Sequence, residues 1–373
     1  MSSIINSLIK VSSSYNVRLM TPMRNIYLSQ VRNLYSPAAL GIDGYLQTRK
    51  TIKEQFTNFS DKFRTKMLEF VSEPKNMIFT EDLKNMVHMA EPTDLELVLN
   101  MIKKFNNQKN EFRFGSFVFG PVVMRMFHFL DAPNEALQCF EDPSNKDFFD
   151  QLISYQIMLD LLYNHEMYEE MFKVFERVQE KQLNMTKFPK YPVVLILAAC
   201  YKQNTPQSME YAKKLWTDMT NTGTIPLRRA CTYFAGLALK QGAPEIALES
   251  ISLQKQHYVT IRNIKAVALA EMGRVEDALP VLRGVLEIDA PEQKDKHTFF
   301  AESVVKIRQA VEKCNNKDVQ KEFQDIEKAL KDRGLIDNQN LDTLLNAEIT
   351  IRKQPVQKPM QRLPYGLRQK RNM

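Results

Sequence analysis

The feature that most constrains this chain is a short helical signature that recurs along its middle. Six segments combine an acidic residue, a small or apolar residue and apolar residues at helical spacing: 94-DLELVLNMI, 134-NEALQCF, 169-EEMFKVF, 210-EYAKKLW, 245-EIALESI and 276-EDALPVL. The small or apolar positions are Leu97, Ala136, Met171, Ala212, Ala247 and Ala278, at intervals of 39, 35, 41, 35 and 31 residues. Their mean of about 36 residues is the length of a helix, a turn, a second helix and a loop.

Helix breaks separate these segments and indicate stacked hairpins. Proline or glycine interrupts the helical pattern in 91-EPT, 131-DAPN, 142-DPSN, 204-NTP and 242-GAP. A single helix hairpin cannot bury its own apolar face, so neighbouring hairpins must stack on one another. The sequence therefore predicts an all-α fold, a right-handed α-solenoid of degenerate helix-turn-helix repeats of about 35 residues with a helical C-terminal cap. A helical bundle without true repeats is the alternative.

The N-terminal region has the composition of a targeting segment. Its first acidic residue is Asp43, whereas Lys10, Arg18, Arg24 and Arg32 precede it together with many serines. Its apolar residues never form the continuous stretch that is typical of a secretory signal. We therefore predict a mitochondrial transit peptide over residues 1–35, cleaved within 32-RNLYS-36, and localisation in the mitochondrial matrix. A disordered basic N-terminus is the alternative.

The formal net charge of +7 is concentrated at the two ends of the chain. Residues 1–35 contribute +4 and residues 352–373, which contain no acid, contribute +7, so the body between them carries −4. A basic surface on the body must therefore come from local clustering. The predicted segments are the transit peptide (1–35), an N-terminal helical segment (36–78), the repeats (79–290), a C-terminal helical cap (291–350) and a basic disordered tail (351–373).

The sequence contains no recognisable catalytic or metal-binding motif. It has no phosphate-binding glycine loop, no nucleophile elbow and no H-E-x-x-H pattern. Cys139, Cys200, Cys231 and Cys314 form no C-x-x-C pair, so buried reduced thiols are expected in place of zinc or disulfide sites. We therefore expect no enzyme activity, no cofactor, no metal site and no membrane span.

The stretch 155-YQIMLDLLYNHEMYEEMFKVFERVQEKQLNMT-186 resembles a pentatricopeptide repeat. Tyr155 and Gln156 stand at the aromatic–polar pair that opens the first helix of such a repeat, and Glu170 and Met171 replace the usual acid–alanine pair of the second helix. The segments 119-FGP-121, 200-CYK-202 and 228-RRA-230 further resemble a mitochondrial member of this family, over roughly residues 45–345. The resemblance implies a role in mitochondrial RNA maturation and, through it, in respiratory-chain function.

The same resemblance implies which side chains contact RNA. Pentatricopeptide proteins read single-stranded RNA one base per repeat, through a few side chains on a concave face. Carried over by the repeat spacing, the base-facing candidates are Gln156, Thr186, Thr232 and Asn263. Basic residues of the first-helix segments are the candidates for phosphate contacts: Arg125, Arg228, Arg229, Arg262 and Lys265. Ordinary exposed polarity is the alternative for both sets.

Two functions fit these observations. The first is a non-catalytic adaptor that binds single-stranded mitochondrial RNA and works with separate RNA-processing nucleases. The second is a protein-binding scaffold on the mitoribosome or on a respiratory assembly complex, which the net charge of −4 on the body favours. A catalytic nuclease would need several converging carboxylates, and the sequence shows no such set.

Overall fold

A computed structural model of the protein describes residues 34–108, 117–255, 258–287 and 297–349. In these residues the chain forms eighteen α-helices and two strands of two residues each. The helices are α1 (Pro37–Leu40), α2 (Ile42–Gln55), α3 (Ser60–Ser72), α4 (Thr80–Met89), α5 (Leu95–Asn107), α6 (Gly120–Phe129), α7 (Pro133–Glu141), α8 (Leu152–Asn164), α9 (Tyr168–Lys181), α10 (Lys190–Gln203), α11 (Pro206–Asn221), α12 (Arg228–Lys240), α13 (Pro244–Ile251), α14 (Val259–Glu271), α15 (Val275–Leu286), α16 (Ala301–Lys313), α17 (Lys317–Asp332) and α18 (Leu341–Leu345). The strands are β1 (Phe299–Phe300) and β2 (Ile336–Asp337), and they pair in parallel.

The helices from α4 to α17 form seven consecutive hairpins. The first helices of these hairpins are α4, α6, α8, α10, α12, α14 and α16, and each contacts the next first helix along the chain. Their starting residues lie 31 to 42 residues apart, for example 38 residues from Leu152 to Lys190. The predicted all-α solenoid of helix-turn-helix repeats is confirmed. None of the described helices has the length and apolarity needed to cross a bilayer.

The turn inside five of the seven hairpins contains a residue with a left-handed backbone. Such a residue follows α6, α8, α10, α12 and α14, namely Asp131, Glu166, Asn204, Gly242 and Gly273, all with φ between 48° and 75°. After α12 the amide of Gly242 bonds to the carbonyl of Leu239 and that of Ala243 to Ala238, which closes the last helical turn. Proline then begins several second helices, including α7, α11 and α13, because its missing N–H is not needed there.

The small residues that define the repeat lie at helix contacts. Ala136, Ala212, Ala247 and Ala278 are all completely buried, and so is Met171, which replaces alanine in the repeat formed by α8 and α9. A small side chain at this position allows the second helix to approach its neighbours closely. The recurrent sequence signal therefore marks the internal contacts of the stack.

The α16–α17 hairpin continues the stack. Helix α16 packs on α14, and α17 packs on α15. Both fall within the segment predicted as a C-terminal cap, 291–350. The guanidinium of Arg308, in α16, binds the carboxylate of Glu327, in α17. Lys331, also in α17, lies 2.7 Å from the same carboxylate. The tail, 351–373, and most of the predicted transit peptide lie outside the described residues.

Two terminal segments lie against the first helices. Leu34 and Tyr35 are buried, and Tyr35 pairs in a parallel bridge with Ile349. The amide of Ile349 bonds to the carbonyl of Leu34 at 2.8 Å, and the amide of Ser36 bonds to the carbonyl of Ile349 at 3.1 Å. The predicted cleavage region 32-RNLYS-36 thus overlaps residues that are part of the folded body.

Candidate nucleic-acid interface

The first turn of α12 carries two of the predicted phosphate ligands, and they have different surroundings. Arg228 is exposed, and its guanidinium carbon lies 3.6 Å from the ring centroid of Tyr258, just before α14. Partial burial lowers the pKa of Arg228 from its usual value. Arg229 is partly buried and donates from Nη1 to the carbonyl of Leu344 at 2.8 Å and from Nη2 to the carbonyl of Ala347. Arg228 is therefore available to a ligand, while Arg229 holds a segment of its own chain.

The other predicted phosphate ligands differ in accessibility. Arg125 donates from Nε to the carbonyl of Leu40 at 2.8 Å, and its burial lowers the pKa of its guanidinium. Arg262 is only 3% exposed, with its guanidinium 5.5 Å from the ring centroid of Phe299, and burial lowers its pKa as well. Lys265 is partly exposed and forms no ion pair with any described residue. Arg228 and Lys265 are thus the accessible members of this set.

Two of the predicted base-facing side chains bind main-chain groups of the protein. Asn263 accepts from the amide of Phe300 at 2.9 Å and donates to the carbonyl of Val259 at 2.8 Å. Thr232 donates from its hydroxyl to the carbonyl of Arg229 at 2.9 Å, within α12. Asn263 is 1% exposed and Thr232 is 2% exposed. Both would have to lose their present surroundings to reach a base.

The remaining base-facing candidates come from the α8–α9 repeat, whose sequence most resembles a pentatricopeptide repeat. Gln156, in α8, is 5% exposed, and its Nε2 is buried without a hydrogen-bond partner in the described residues. Thr186 lies in the linker between α9 and α10 and is partly exposed. Of the four predicted base-facing residues, Thr186 is the one whose side chain reaches solvent without rearrangement.

A C-terminal segment covers one face of α10 and α12, which is called the inner face below. The hydroxyl of Tyr233 donates to the carbonyl of Leu345, and the hydroxyl of Tyr201 donates to Asp342. Lys240 donates to the same carboxylate at 2.8 Å. Burial raises the pKa of Asp342, but the hydrogen bonds from Lys240 and Tyr201 outweigh that effect, so the pKa lies below its usual value.

The N-terminal segment extends this cover onto α8. The amide of Tyr35 bonds to Oδ1 of Asp160 at 3.3 Å, and Oδ2 of the same carboxylate lies 3.0 Å from Nε2 of His128 in α6. Asp160 is completely buried. The hydroxyl of Tyr35 also donates to the carbonyl of Tyr191, at the start of α10. The two segments thus cover parts of the first helices on which the repeats were expected to bind RNA.

The sequence carried a signal for this cover in α10. The run 193-VVLILAACY-201 is apolar without interruption, and every residue from Pro192 to Tyr201 is buried. A helix that is apolar all round must be covered on all sides, whereas the first helix of an open array needs a polar inner face. The uninterrupted run therefore indicated a covering segment, although not its identity.

No metal or thiol chemistry is visible in the described part of the chain. No group of three or more histidine, cysteine or acidic side chains is arranged there to hold a metal ion. Cys139, Cys200 and Cys231 are buried free thiols, as the sequence predicted, and burial raises the pKa of each to about 12. Cys314 is partly buried.

The curated proteins that resemble this chain, described next, carry the same name in different organisms. No family model matches the chain. Curated proteins named pentatricopeptide repeat-containing protein 2, mitochondrial, are similar to it: the Homo sapiens protein is 26% identical over 274 residues, which cover 72% of this chain and 69% of the relative. The Danio rerio protein is 26% identical over 266 residues (70% and 68%), and the Xenopus laevis protein is 25% identical over 281 residues (75% and 72%). The predicted resemblance to a mitochondrial pentatricopeptide repeat protein and the predicted mitochondrial localisation are thereby confirmed.

Proposed function

We propose that this mitochondrial helical-repeat protein is a non-catalytic adaptor in the matrix that binds single-stranded RNA and promotes maturation of mitochondrial transcripts. Respiratory-chain function would depend on it through those transcripts. The names of the curated relatives support the repeat class and the organelle. The single structural observation that carries the proposal is the exposed guanidinium of Arg228 on the ring of Tyr258, because a cation beside an aromatic face suits a phosphate and a base together.

The accessible side chains define the first contact area. Arg228 and Tyr258 lie at the starts of α12 and α14, and Lys265 is on α14. Thr186 precedes α10, the first helix before α12. Arg228 forms no ion pair with a described carboxylate, so no anion among the described residues competes with phosphate there. Because the body is acidic on average, we assign the RNA contacts first to these positions.

The remaining predicted residues are assigned a conditional part in RNA binding. Gln156, Thr232, Asn263, Arg229 and Arg262 are covered or hydrogen-bonded by the chain's own segments. Arg125 likewise binds the carbonyl of Leu40. They can contribute only where those segments move away.

The proposal is tested first in cells and then with purified protein. Cross-linking followed by sequencing of the bound RNA should recover mitochondrial transcripts, and recovery at background level would refute direct binding. With purified protein, Arg228→Ala should weaken binding of a single-stranded RNA and reduce the slope of log affinity against log salt by about one unit. Arg274→Ala is the matched control, because this arginine is also exposed but is paired with Asp277 at 2.7 Å. If Arg228→Ala and Arg274→Ala reduced the affinity and the salt slope equally, the role assigned to Arg228 would be refuted.

A protein-binding scaffold is the second candidate function. Three large apolar side chains are exposed in successive linkers between hairpins: Met185 (99% exposed), Ile225 (72%) and Leu253 (87%). Exposed apolar groups at repeated positions favour contact with another protein, such as a processing nuclease or a ribosomal protein. Replacing all three by serine should abolish that contact and leave RNA binding unchanged. Cross-linking mass spectrometry from mitochondria would show whether these linkers contact a partner.

A further inference from the structure

The segment from Asn338 to Ile349, here called the C-terminal strap, returns from the end of the stack to its middle. It follows β2 and includes the short helix α18, which packs on α12. It ends where Ile349 pairs with Tyr35, close to α8 and α10. The strap therefore contacts two consecutive first helices, α10 and α12, that are more than 100 residues away from it in sequence. It is linked to α8 through Tyr35, whose amide bonds to Asp160.

The strap is bound in the way in which a groove binds an extended peptide. Side chains of α12 bind its main chain, since Arg229 and Tyr233 donate to carbonyl groups on either side of Asn346. One acidic side chain, Asp342, is held by Tyr201 and Lys240. One apolar side chain, Leu345, is completely buried. These are the polar anchors and the apolar pocket of a ligand site, filled by the chain itself.

The fit of the strap is incomplete. Within the described residues, Nε of Arg229 and Oδ1 of Asn346 are buried without a hydrogen-bond partner. A buried polar group without a partner opposes the bound state, so the strap is held less firmly than its number of contacts suggests. Most of its other residues are partly or fully exposed, and its helix has only five residues. Such a segment can leave without unfolding the hairpins beneath it.

The strap covers residues that a nucleic-acid ligand would use. Beneath it lie the rings of Tyr201 and Tyr233, with centroids 5.7 Å apart, and the guanidinium of Arg229. The bases of single-stranded RNA stack on aromatic rings, and its phosphates pair with arginine. Immediately after the strap the sequence carries seven basic residues and no acid, from Arg352 to Arg371. These basic residues would therefore attract RNA to the neighbourhood of the strap, which is the segment that has to move.

We propose that the C-terminal strap is an intramolecular ligand that closes the inner face of α10 and α12, and that RNA binds there only after the strap leaves. This inference rests on the proposed function. When a binding-competent state is a small fraction of the population, the apparent dissociation constant rises by the inverse of that fraction. Releasing the strap should therefore tighten RNA binding by about tenfold or more, through residues that are covered in the closed state.

The release variant is Leu345→Asp, which places a charge in a fully buried pocket of the strap. Leu68→Asp is its matched control, because the same substitution falls on a leucine of α3 that is 56% exposed. Asp342→Asn is a milder release variant that removes the charge facing Lys240 and keeps the shape of the side chain. Circular dichroism should show unchanged helix content in all three, and hydrogen exchange of residues 341–349 should report release.

Binding is then measured with a fluorescein-labelled, uridine-rich RNA of about 20 nucleotides, which spans several repeats if one base is read per repeat. Leu345→Asp and Asp342→Asn should bind this RNA at least about tenfold more tightly than the parent and Leu68→Asp do. A synthetic peptide of residues 338–349 added to Leu345→Asp should reverse the gain. Rapid exchange of the strap with unchanged RNA affinity would overturn the inference and leave the proposed function intact. Absence of RNA binding by every protein, the parent included, would instead overturn the proposed function.

Discussion

Replacing Gly236 by alanine tests the contact between α12 and its cover. Gly236 lies inside α12, where alanine is a better helix former by about 1 kcal/mol. A Cβ at this position would lie 2.8 Å from Cε2 of Tyr201, and 3.4 Å and 3.5 Å from methyl groups of Leu345 and Leu341. Carbon atoms pack at about 3.5–4.0 Å, so the Tyr201 ring must move by about 0.7 Å or more. That ring is 1% exposed and has no open space to enter.

Gly236→Ala should change the free energy of unfolding in the opposite direction to the same substitution at a glycine with open space around it. Overpacking of a core costs about 1–3 kcal/mol, which exceeds the helix-propensity gain, so Gly236→Ala should lower the free energy of unfolding by about 1 kcal/mol. Gly284→Ala, inside α15, meets no atom within 4 Å and should raise it by about 0.5–1 kcal/mol. Because Tyr201 holds Asp342, the shift should also speed hydrogen exchange of the strap.

The measurement is urea unfolding followed by circular dichroism, together with hydrogen exchange of residues 341–349. A stabilisation by Gly236→Ala equal to that by Gly284→Ala would refute the close contact between α12, Tyr201 and the strap. Gly44→Ala is a second control, because an added Cβ meets no atom within 4 Å at this position in α2 either.

Three further predictions concern buried polar groups. Asp160→Ala should lower the free energy of unfolding by about 2–5 kcal/mol, because His128 and the amide of Tyr35 each lose a buried acceptor; urea unfolding measures it, and a loss below 1 kcal/mol would contradict it. The mature N-terminus, read by mass spectrometry, should lie at or before Leu34, since cleavage after Tyr35 would remove that donor and the bridge to the strap. Burial lowers the pKa of His88 below 6.5 in the folded protein. The unfolded chain therefore takes up a proton at a higher pH than the folded protein does, and the free energy of unfolding should fall as the pH drops below 6.5. The His88→Gln variant should show a smaller loss between pH 7 and pH 5, and an unchanged slope would contradict the assignment.

The repeat architecture was predictable because its signals are local. An acidic residue before a small one, proline at the start of a second helix and a left-handed residue in the turn all act within a few residues of each other. Ala247, Pro244 and Gly242 carry these signals for one hairpin, and the structure places each of them as the pattern requires.

The cover of the inner face was not predictable in the same way. Arg229 and Ala347 are 118 residues apart, and the acceptor is a main-chain carbonyl that any residue could supply. A side chain that binds a distant main chain leaves no complementary residue type in the sequence. The uninterrupted apolar run of α10 indicated that something must cover this helix, but a pattern of burial does not identify the segment that buries it.

The covered inner face also changes how RNA recognition should work. A base reader needs a side chain whose donor and acceptor are both unused, and both polar atoms of Asn263 are bound to main-chain groups. The hydroxyl of Thr232 is bound within its own helix, and Gln156 is only 5% exposed, so sequence reading is left mainly to Thr186. Arg228 and Lys265 remain accessible, and their contacts with phosphate are the same for every base. Under the proposed function, binding to the closed protein should therefore vary strongly with salt and weakly with RNA sequence, and affinities that differ by more than about tenfold between homopolymeric RNAs at one salt concentration would contradict this reasoning.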